Sequence, residues 1–246
     1  MNNHLALRSG NPALQSNTFK KHFAATTEGA MTLEGTVQKT AISLILLMTT
    51  ALMTWNNPNL SGLMIPGVII GFILAMITVF KPTAAPVTVP LYALAEGLFL
   101  GSISHIFENM YPGIAVQAIF LTFGTLGALL LAYMSGLIKA TENFKLGVVA
   151  ATGGIAILYF INLIMGFFGS EIGIMHGNST MGILFSGFVV IIAALNLVLD
   201  FDFIEEGEEM GAPKYMEWYG AFGLLVTLIW LYLEILRLLA KLQSRR

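Results

Sequence analysis

Seven long apolar stretches occupy most of this 246-residue chain, and they restrict its fold more than any other feature. A helix needs about 20 mainly apolar residues to cross the hydrocarbon core of a bilayer. The composition also indicates a membrane protein, because 56% of the residues are hydrophobic and only 11% are charged. In soluble domains about 25% of the residues are charged. The sequence therefore predicts an all-α membrane protein, a bundle of seven transmembrane helices. The predicted spans are Thr40–Trp55, Leu63–Phe80, Val87–Phe107, Ile114–Gly136, Leu146–Phe168, Thr180–Phe203 and Trp218–Leu239.

The N-terminal segment, residues 1–36, differs in composition from the rest of the chain. It is polar and rich in Asn, Ser and Thr, and it lacks the short apolar core and cleavage site of a signal peptide. We expect an uncleaved, mobile arm with a helical turn near Thr32–Gln38. Residues 37–246 then form the seven-helix membrane domain.

Basic residues orient the predicted bundle, because Lys and Arg are enriched in cytoplasmic loops. With the N-terminus inside, the inner segments contain eight basic residues and the three outer loops contain none. The inner residues are Arg8, Lys20, Lys21, Lys39, Lys81, Lys139, Lys145 and Lys214. Four more basic residues lie at the C-terminal end, Arg237 near the end of the last span and Lys241, Arg245 and Arg246 after it. Either the last helix crosses fully and places them outside, or it re-enters and returns them inside.

Two glycine pairs, Gly67-x-x-x-Gly71 and Gly97-x-x-x-Gly101, have the spacing that lets helix backbones approach closely. The alternative is that they reflect only the high glycine content of membrane helices.

Three carboxylates lie deep in the predicted spans: Glu96, Asp200 and Glu234. Placing a charged side chain at the bilayer centre costs roughly a few kcal/mol, so each of these carboxylates needs an interaction partner, a cavity around it or a bound proton. Arg237 follows Glu234 by three residues, so one interpretation is a local ion pair between these two side chains. Glu96 has no basic neighbour on its own helix. Two buried carboxylates that share a site cannot both ionise cheaply, and such a pair responds to pH.

The end of the sixth span is strongly acidic, with Asp200 one helical turn after Asn196 and on the same face. The further carboxylates are Asp202, Glu205, Glu206, Glu208 and Glu209. They lie at the predicted inner mouth, where they could concentrate cations. The alternative is a solvated acidic helix end. Their spacing does not fit an EF-hand.

The sequence lacks most of the residues and motifs that would indicate an enzyme. The chain has no cysteine, which excludes disulfides, thiol nucleophiles and thiolate metal sites. No histidine lies deep in a span, and the motifs of intramembrane serine, aspartyl and glutamate proteases are incomplete. We expect no enzyme activity, no cofactor and no nucleic-acid partner.

Three motifs in order give the chain a resemblance to a known family. They are Ala-Glu-Gly-x-x-x-Gly at Ala95–Gly101, Leu-Asp-Phe at Leu199–Phe201 and Leu-Tyr-Leu-Glu at Leu231–Glu234. Over about residues 30–246 the chain resembles a bacterial-type member of the Bax inhibitor-1/YccA family (transmembrane BAX inhibitor motif proteins).

The resemblance implies seven helices with the last one central, and a pH-sensitive calcium leak governed by acids on the sixth and seventh helices. Carried over by motif, these acids are Asp200 and Glu234, which would also hold calcium transiently. Glu96 is a further candidate for the pH-sensing pair, because its helix enters from the inner side and its depth can match that of Asp200. The chain departs from the family pattern in having Glu at the seventh-helix position. It also has 33 residues between the two acids, which in a plain antiparallel hairpin leaves them offset by more than about 10 Å.

The resemblance also implies a second class of function. Similar proteins restrain a membrane protease or bind cell-death regulators, so the alternative is a membrane interaction protein without ion transport. Expected partners are the lipid bilayer, calcium or protons, and a membrane protease or another membrane protein. The expected location is the bacterial inner membrane with the N-terminus in the cytoplasm.

Overall fold

A computed structural model describes residues 29–170, 172, 173, 177 and 179–245. Seven helices within these residues are long and apolar enough to cross a membrane, which confirms the predicted number. They are α1 Leu33–Asn56, α2 Met64–Phe80, α3 Ala85–Met110, α4 Ile114–Met134, α5 Glu142–Phe167, α6 Thr180–Glu209 and α7 Met216–Gln243. Residues 1–28 of the predicted arm, with Arg8, Lys20 and Lys21, lie outside the described residues.

Hydroxyl side chains fix where three of the helices begin. The Thr32 hydroxyl accepts a hydrogen bond from the Gly35 N–H at 3.0 Å, so α1 starts at Leu33, within the region where we predicted a helical turn. Thr141 and Ser179 cap α5 and α6 in the same way. Each cap satisfies a backbone N–H that the first turn of a helix leaves without a partner.

The last helix, α7, is the centre of the bundle. It packs against α1, α3, α4 and α6, and Tyr219, Leu225 and Leu231, which lie about 120° apart around the helix, are almost fully buried. A helix that is apolar on all sides belongs in the interior of a bundle. This arrangement places Glu217, Thr227 and Glu234 of α7 inside the protein.

The two glycine pairs bring α3 against both α1 and α2. A Cβ atom at Gly97 would collide with the Leu47 carbonyl oxygen of α1, and one at Gly101 would collide with that of Ala51. On the other side, Gly67 of α2 lies against the Ala95 carbonyl oxygen. These glycines therefore serve close helix packing.

A clasp joins the start of α1 to the loop between α6 and α7. Ala30 forms a β-bridge with Pro213, the Met31 N–H donates to the Ala212 carbonyl at 2.6 Å, and the Lys214 N–H donates to Gly29 at 3.1 Å. Met31 is 1% exposed. Residues 29–32 are thus part of the packed domain.

The far end of α7 packs beside the beginning of α6. The Lys241 ammonium donates to the Gly182 carbonyl at 3.1 Å and to the Ser186 hydroxyl at 2.8 Å, and Arg245 donates to Thr180. Because α7 is one continuous helix of 28 residues, it spans roughly 42 Å. The last helix therefore crosses the bundle completely, and Lys241 and Arg245 lie at the end opposite the clasp.

Candidate functional site

Asp200 lies in the interface between α6 and the central helix. Its side chain is 0% exposed, and the Thr227 hydroxyl of α7 lies beside it. Neither carboxylate oxygen makes a hydrogen bond of ordinary geometry to any residue that the structure describes. An ionised carboxylate in this position has little to stabilise its charge, so it must bind a proton, a cation or water.

Asn196 extends this polar position by one helical turn. Its amide nitrogen donates to the Thr152 hydroxyl of α5 at 2.8 Å and to the Ile192 carbonyl at 2.8 Å. Its side-chain oxygen has no hydrogen-bond partner among the described residues. Three acceptor oxygens, one from Asn196 and two from Asp200, therefore lie within about one turn of α6 without a hydrogen bond of ordinary geometry to the described residues.

Glu234 is held in a different environment. Its carboxylate accepts hydrogen bonds from Arg237 at 2.8 and 3.0 Å and from the Tyr159 hydroxyl of α5 at 2.8 Å. Arg237 also donates to the Tyr159 oxygen, and its guanidinium lies 5.4 Å from the centre of the Tyr159 ring. The carboxylate charge is thus compensated by a local ion pair, one of the two readings that the sequence left open.

The structure does not bring Asp200 and Glu234 together. Asp200 lies at the level of Thr227, and Glu234 follows Thr227 by seven residues, or roughly 10 Å along the helix. This is the offset that the long spacing in the sequence predicted. Helix α7 is continuous from Met216 to Gln243, so no break in it closes the gap.

Glu96 occupies a third, separate position. Its carboxylate lies over Gly71 of α2, where a Cβ atom would collide with it. The side chain is partly buried, and no ion pair or hydrogen bond joins it to another described residue. Glu96 therefore faces α2, whereas Asp200 faces α7.

The acidic end of α6 is tied into the bundle. Asp202 forms an ion pair with Lys145 of α5 at 2.5 Å. Glu205 accepts a hydrogen bond from the Tyr133 hydroxyl of α4. Glu208 accepts a hydrogen bond from the Leu33 N–H of α1 at 2.9 Å. Glu206 is partly buried and Glu209 is exposed. This end of α6 thus holds α1, α4 and α5 in place, and it remains rich in carboxylates.

Sequence reasoning missed a further buried carboxylate, Glu217 in the first turn of α7. Its side chain is 0% exposed and forms ion pairs with Lys39 at 2.7 Å and Lys214 at 3.2 Å. It also accepts hydrogen bonds from the Thr32 N–H and hydroxyl. The spacing of Lys214 and Glu217, three residues apart, was the available signal.

These residues do not assemble a multidentate metal centre. Within the described part of the chain, no three His, Cys, Asp or Glu side chains lie close enough together to hold a metal ion. The arrangement at Asp200 fits a monovalent ligand such as a proton, or transient contact with a cation.

Comparison with known proteins identifies the family of this chain. The family model described as Bax inhibitor 1 like matches residues 11–244. The chain belongs to the Bax inhibitor 1 like family. Membership agrees with the resemblance carried by the three motifs and with the seven apolar helices, so the protein is an integral membrane member of that family. No curated protein and no solved structure matches the chain.

Proposed function

We propose that this protein is a passive, pH-sensitive leak for calcium and that the protonation of Asp200 controls it. The observation that carries the proposal is the position of this carboxylate. It is fully buried beside the central helix, and its two oxygens make no hydrogen bond of ordinary geometry to the described residues.

The charge of Asp200 gives the proposed leak its dependence on pH. A protonated carboxyl group is neutral and tolerates burial between α6 and α7, whereas an ionised one draws in water or a cation. Ionisation therefore favours separation of the two helices. Protons and calcium also compete for the same oxygens. Both effects have one sign, so flux rises as pH rises through the titration of Asp200.

The other carboxylates take secondary roles in this proposal. Glu96 is a second proton-binding group, and the acidic end of α6 attracts cations to the inner mouth, since carboxylates are common cation ligands. Glu234 is already compensated by Arg237. We therefore assign it to the maintenance of the bundle at the far end of α7.

The proposed orientation places the clasp in the cytoplasm of a bacterial cell, following the distribution of basic residues. Single cysteines introduced into this cysteine-free chain provide the test. A cysteine at Asn59 should react with an impermeant maleimide added outside the cell, and one at Lys81 should react only after permeabilisation. The reverse pattern would invert the topology.

Calcium flux into proteoliposomes between pH 5 and pH 8 tests the leak. One proton that controls the gate permits up to about a tenfold change in flux per pH unit. Asp200→Asn should remove this dependence. Glu234→Gln, which alters a compensated carboxylate, should retain it. If the parent protein passes no calcium at any pH in this range, the leak proposal fails, and binding of a membrane protease or cell-death regulator becomes the leading function.

A further inference from the structure

A cleft runs along the central helix between α1 and α4. Two cavities of about 230 and 970 Å³ lie end to end in it. Both cavities are lined by Leu44 of α1 and Leu228 of α7, so they form one continuous depression, which we call the α1–α4 cleft. Helices α1 and α4 each pack on α7, and α7 forms the floor between them.

The α1–α4 cleft is long enough to extend across most of a membrane. On α1 its wall extends from Leu33 to Trp55, and on α4 it extends from Val116 to Met134. The 22-residue separation on α1 corresponds to roughly 33 Å, about the thickness of the hydrocarbon core. Leu52 and Phe123 on its walls are 51% and 40% exposed, which opens the cleft sideways to the bilayer.

The walls are apolar except at one end. In the smaller cavity, the polar groups of Ser104 and Tyr232 bond to each other at 2.6 Å, and the Thr122 hydroxyl bonds to its own helix. Such a cavity offers water few hydrogen-bonding partners. In a membrane this cavity opens to hydrocarbon and not to water, so the acyl chain of a lipid is the molecule that suits it.

Charged and polar side chains mark the other end, at the same side of the bundle as the clasp. Lys139 is exposed there and lacks an ion-pair partner within the described residues. Glu205 also lines this end and accepts a hydrogen bond from Tyr133, and Asp202 is neutralised by Lys145. This end therefore presents one free positive and one negative charge, with further carboxylates close by in the sequence.

We propose that the α1–α4 cleft is a binding site for a zwitterionic phospholipid. One acyl chain lies along α7, the phosphate contacts Lys139, and the ammonium of the head group faces the Glu205 carboxylate. A head group with net negative charge fits less well, because the acidic end of α6 would repel it. The site includes Glu205 and Asp202 from the acidic end of α6 but not Asp200, so loss of lipid binding can be distinguished from loss of the pH dependence of the proposed leak.

Native mass spectrometry of the protein, extracted from nanodiscs of equal phosphatidylethanolamine, phosphatidylcholine and phosphatidylglycerol, tests the site. The parent protein should retain one phospholipid and favour the two zwitterionic classes. Ala41→Trp, which places an indole in the cleft, should lower retention at least about tenfold, or about 1.4 kcal/mol of binding. The matched control is Ile42→Trp, whose side chain is 46% exposed and points away from the cleft.

Two further measurements keep the proposal testable if Ala41→Trp does not fold. In the parent protein, phosphatidylethanolamine with a diazirine in its acyl chain should crosslink to peptides from both α1 and α4. Lys139→Gln should weaken retention several-fold, and Lys81→Gln, at an exposed lysine outside the cleft, should not. Preference for phosphatidylglycerol, crosslinks without α1 and α4, or equal loss in the control variants would overturn the proposal.

Discussion

The Asp200 carboxylate lies beside the Thr227 hydroxyl, across the interface between α6 and the central helix. Both side chains are buried, at 0% and 2% exposure. A hydroxyl can donate to an ionised carboxylate and accept from a protonated one. Thr227 is therefore the group of α7 that can respond to the charge state of Asp200.

Replacement of this hydroxyl should change the pH at which the proposed leak opens. Thr227→Val keeps the shape of the side chain but removes the donor that can stabilise ionised Asp200. A hydrogen bond to a charged group contributes about 1.5 kcal/mol or more, and about 1.4 kcal/mol corresponds to one pH unit. The flux curve should move upward by about one pH unit, and Thr227→Ser should leave it nearly unchanged. A downward shift would contradict the assignment.

The ion pairs of the buried Glu217 carboxylate should contribute to stability. Glu217→Gln removes the charge that pairs with Lys39 and Lys214, whose side chains are 20% and 45% exposed. Because water can solvate the two lysines, the expected loss is about 1–3 kcal/mol, the range of hydrogen bonds to charged groups. We expect a clear fall in the thermal unfolding midpoint in detergent, followed by intrinsic fluorescence. Glu142→Gln, at an exposed carboxylate in the first turn of α5, provides the control and should change the midpoint little.

The clasp sets the limit for shortening the N-terminus. Deletion of residues 1–28 keeps the described contacts of Gly29, Ala30 and Met31 with the loop between α6 and α7, so it should leave folding and flux intact. Deletion of residues 1–32 removes the β-bridge, buried Met31 and the Thr32 cap. Loss of the cap alone costs about 1 kcal/mol. The longer deletion should therefore unfold at lower temperature, and equal stability of the two proteins would contradict the role of the clasp.

Close packing of α3 against α1 should depend on Gly101. A Cβ atom there meets the Ala51 carbonyl and the Thr54 hydroxyl, so Gly101→Ala must separate the two backbones. Forced overpacking costs about 1–3 kcal/mol. Gly124→Ala is the matched control, because nothing lies within 4 Å of the added atom. Size-exclusion profiles after graded heating should distinguish the two variants.

The seven helices could be predicted because the signal is local. Only a long apolar segment can cross hydrocarbon, and each segment carries that information in its own composition. The predicted spans were shorter than the helices. Helix α6 continues to Glu209, beyond the predicted end at Phe203, and α1 begins at Leu33, before the predicted start at Thr40. Contacts with other helices, such as that of Glu208 with Leu33, support these extra turns.

Sequence by itself determined the depth of each carboxylate and its face on its own helix, because rise and rotation per residue are fixed. That was sufficient to select Asp200 and to predict its offset from Glu234. Only the tertiary structure decided which side chains contact the carboxylates. Tyr159 of α5 donates a hydrogen bond to Glu234, and Thr227 of α7 lies beside Asp200. Lys39 of α1 forms an ion pair with Glu217. The physical reason is that the relative rotation and spacing of helices depend on side-chain packing between distant segments, which the periodicity of one helix does not encode.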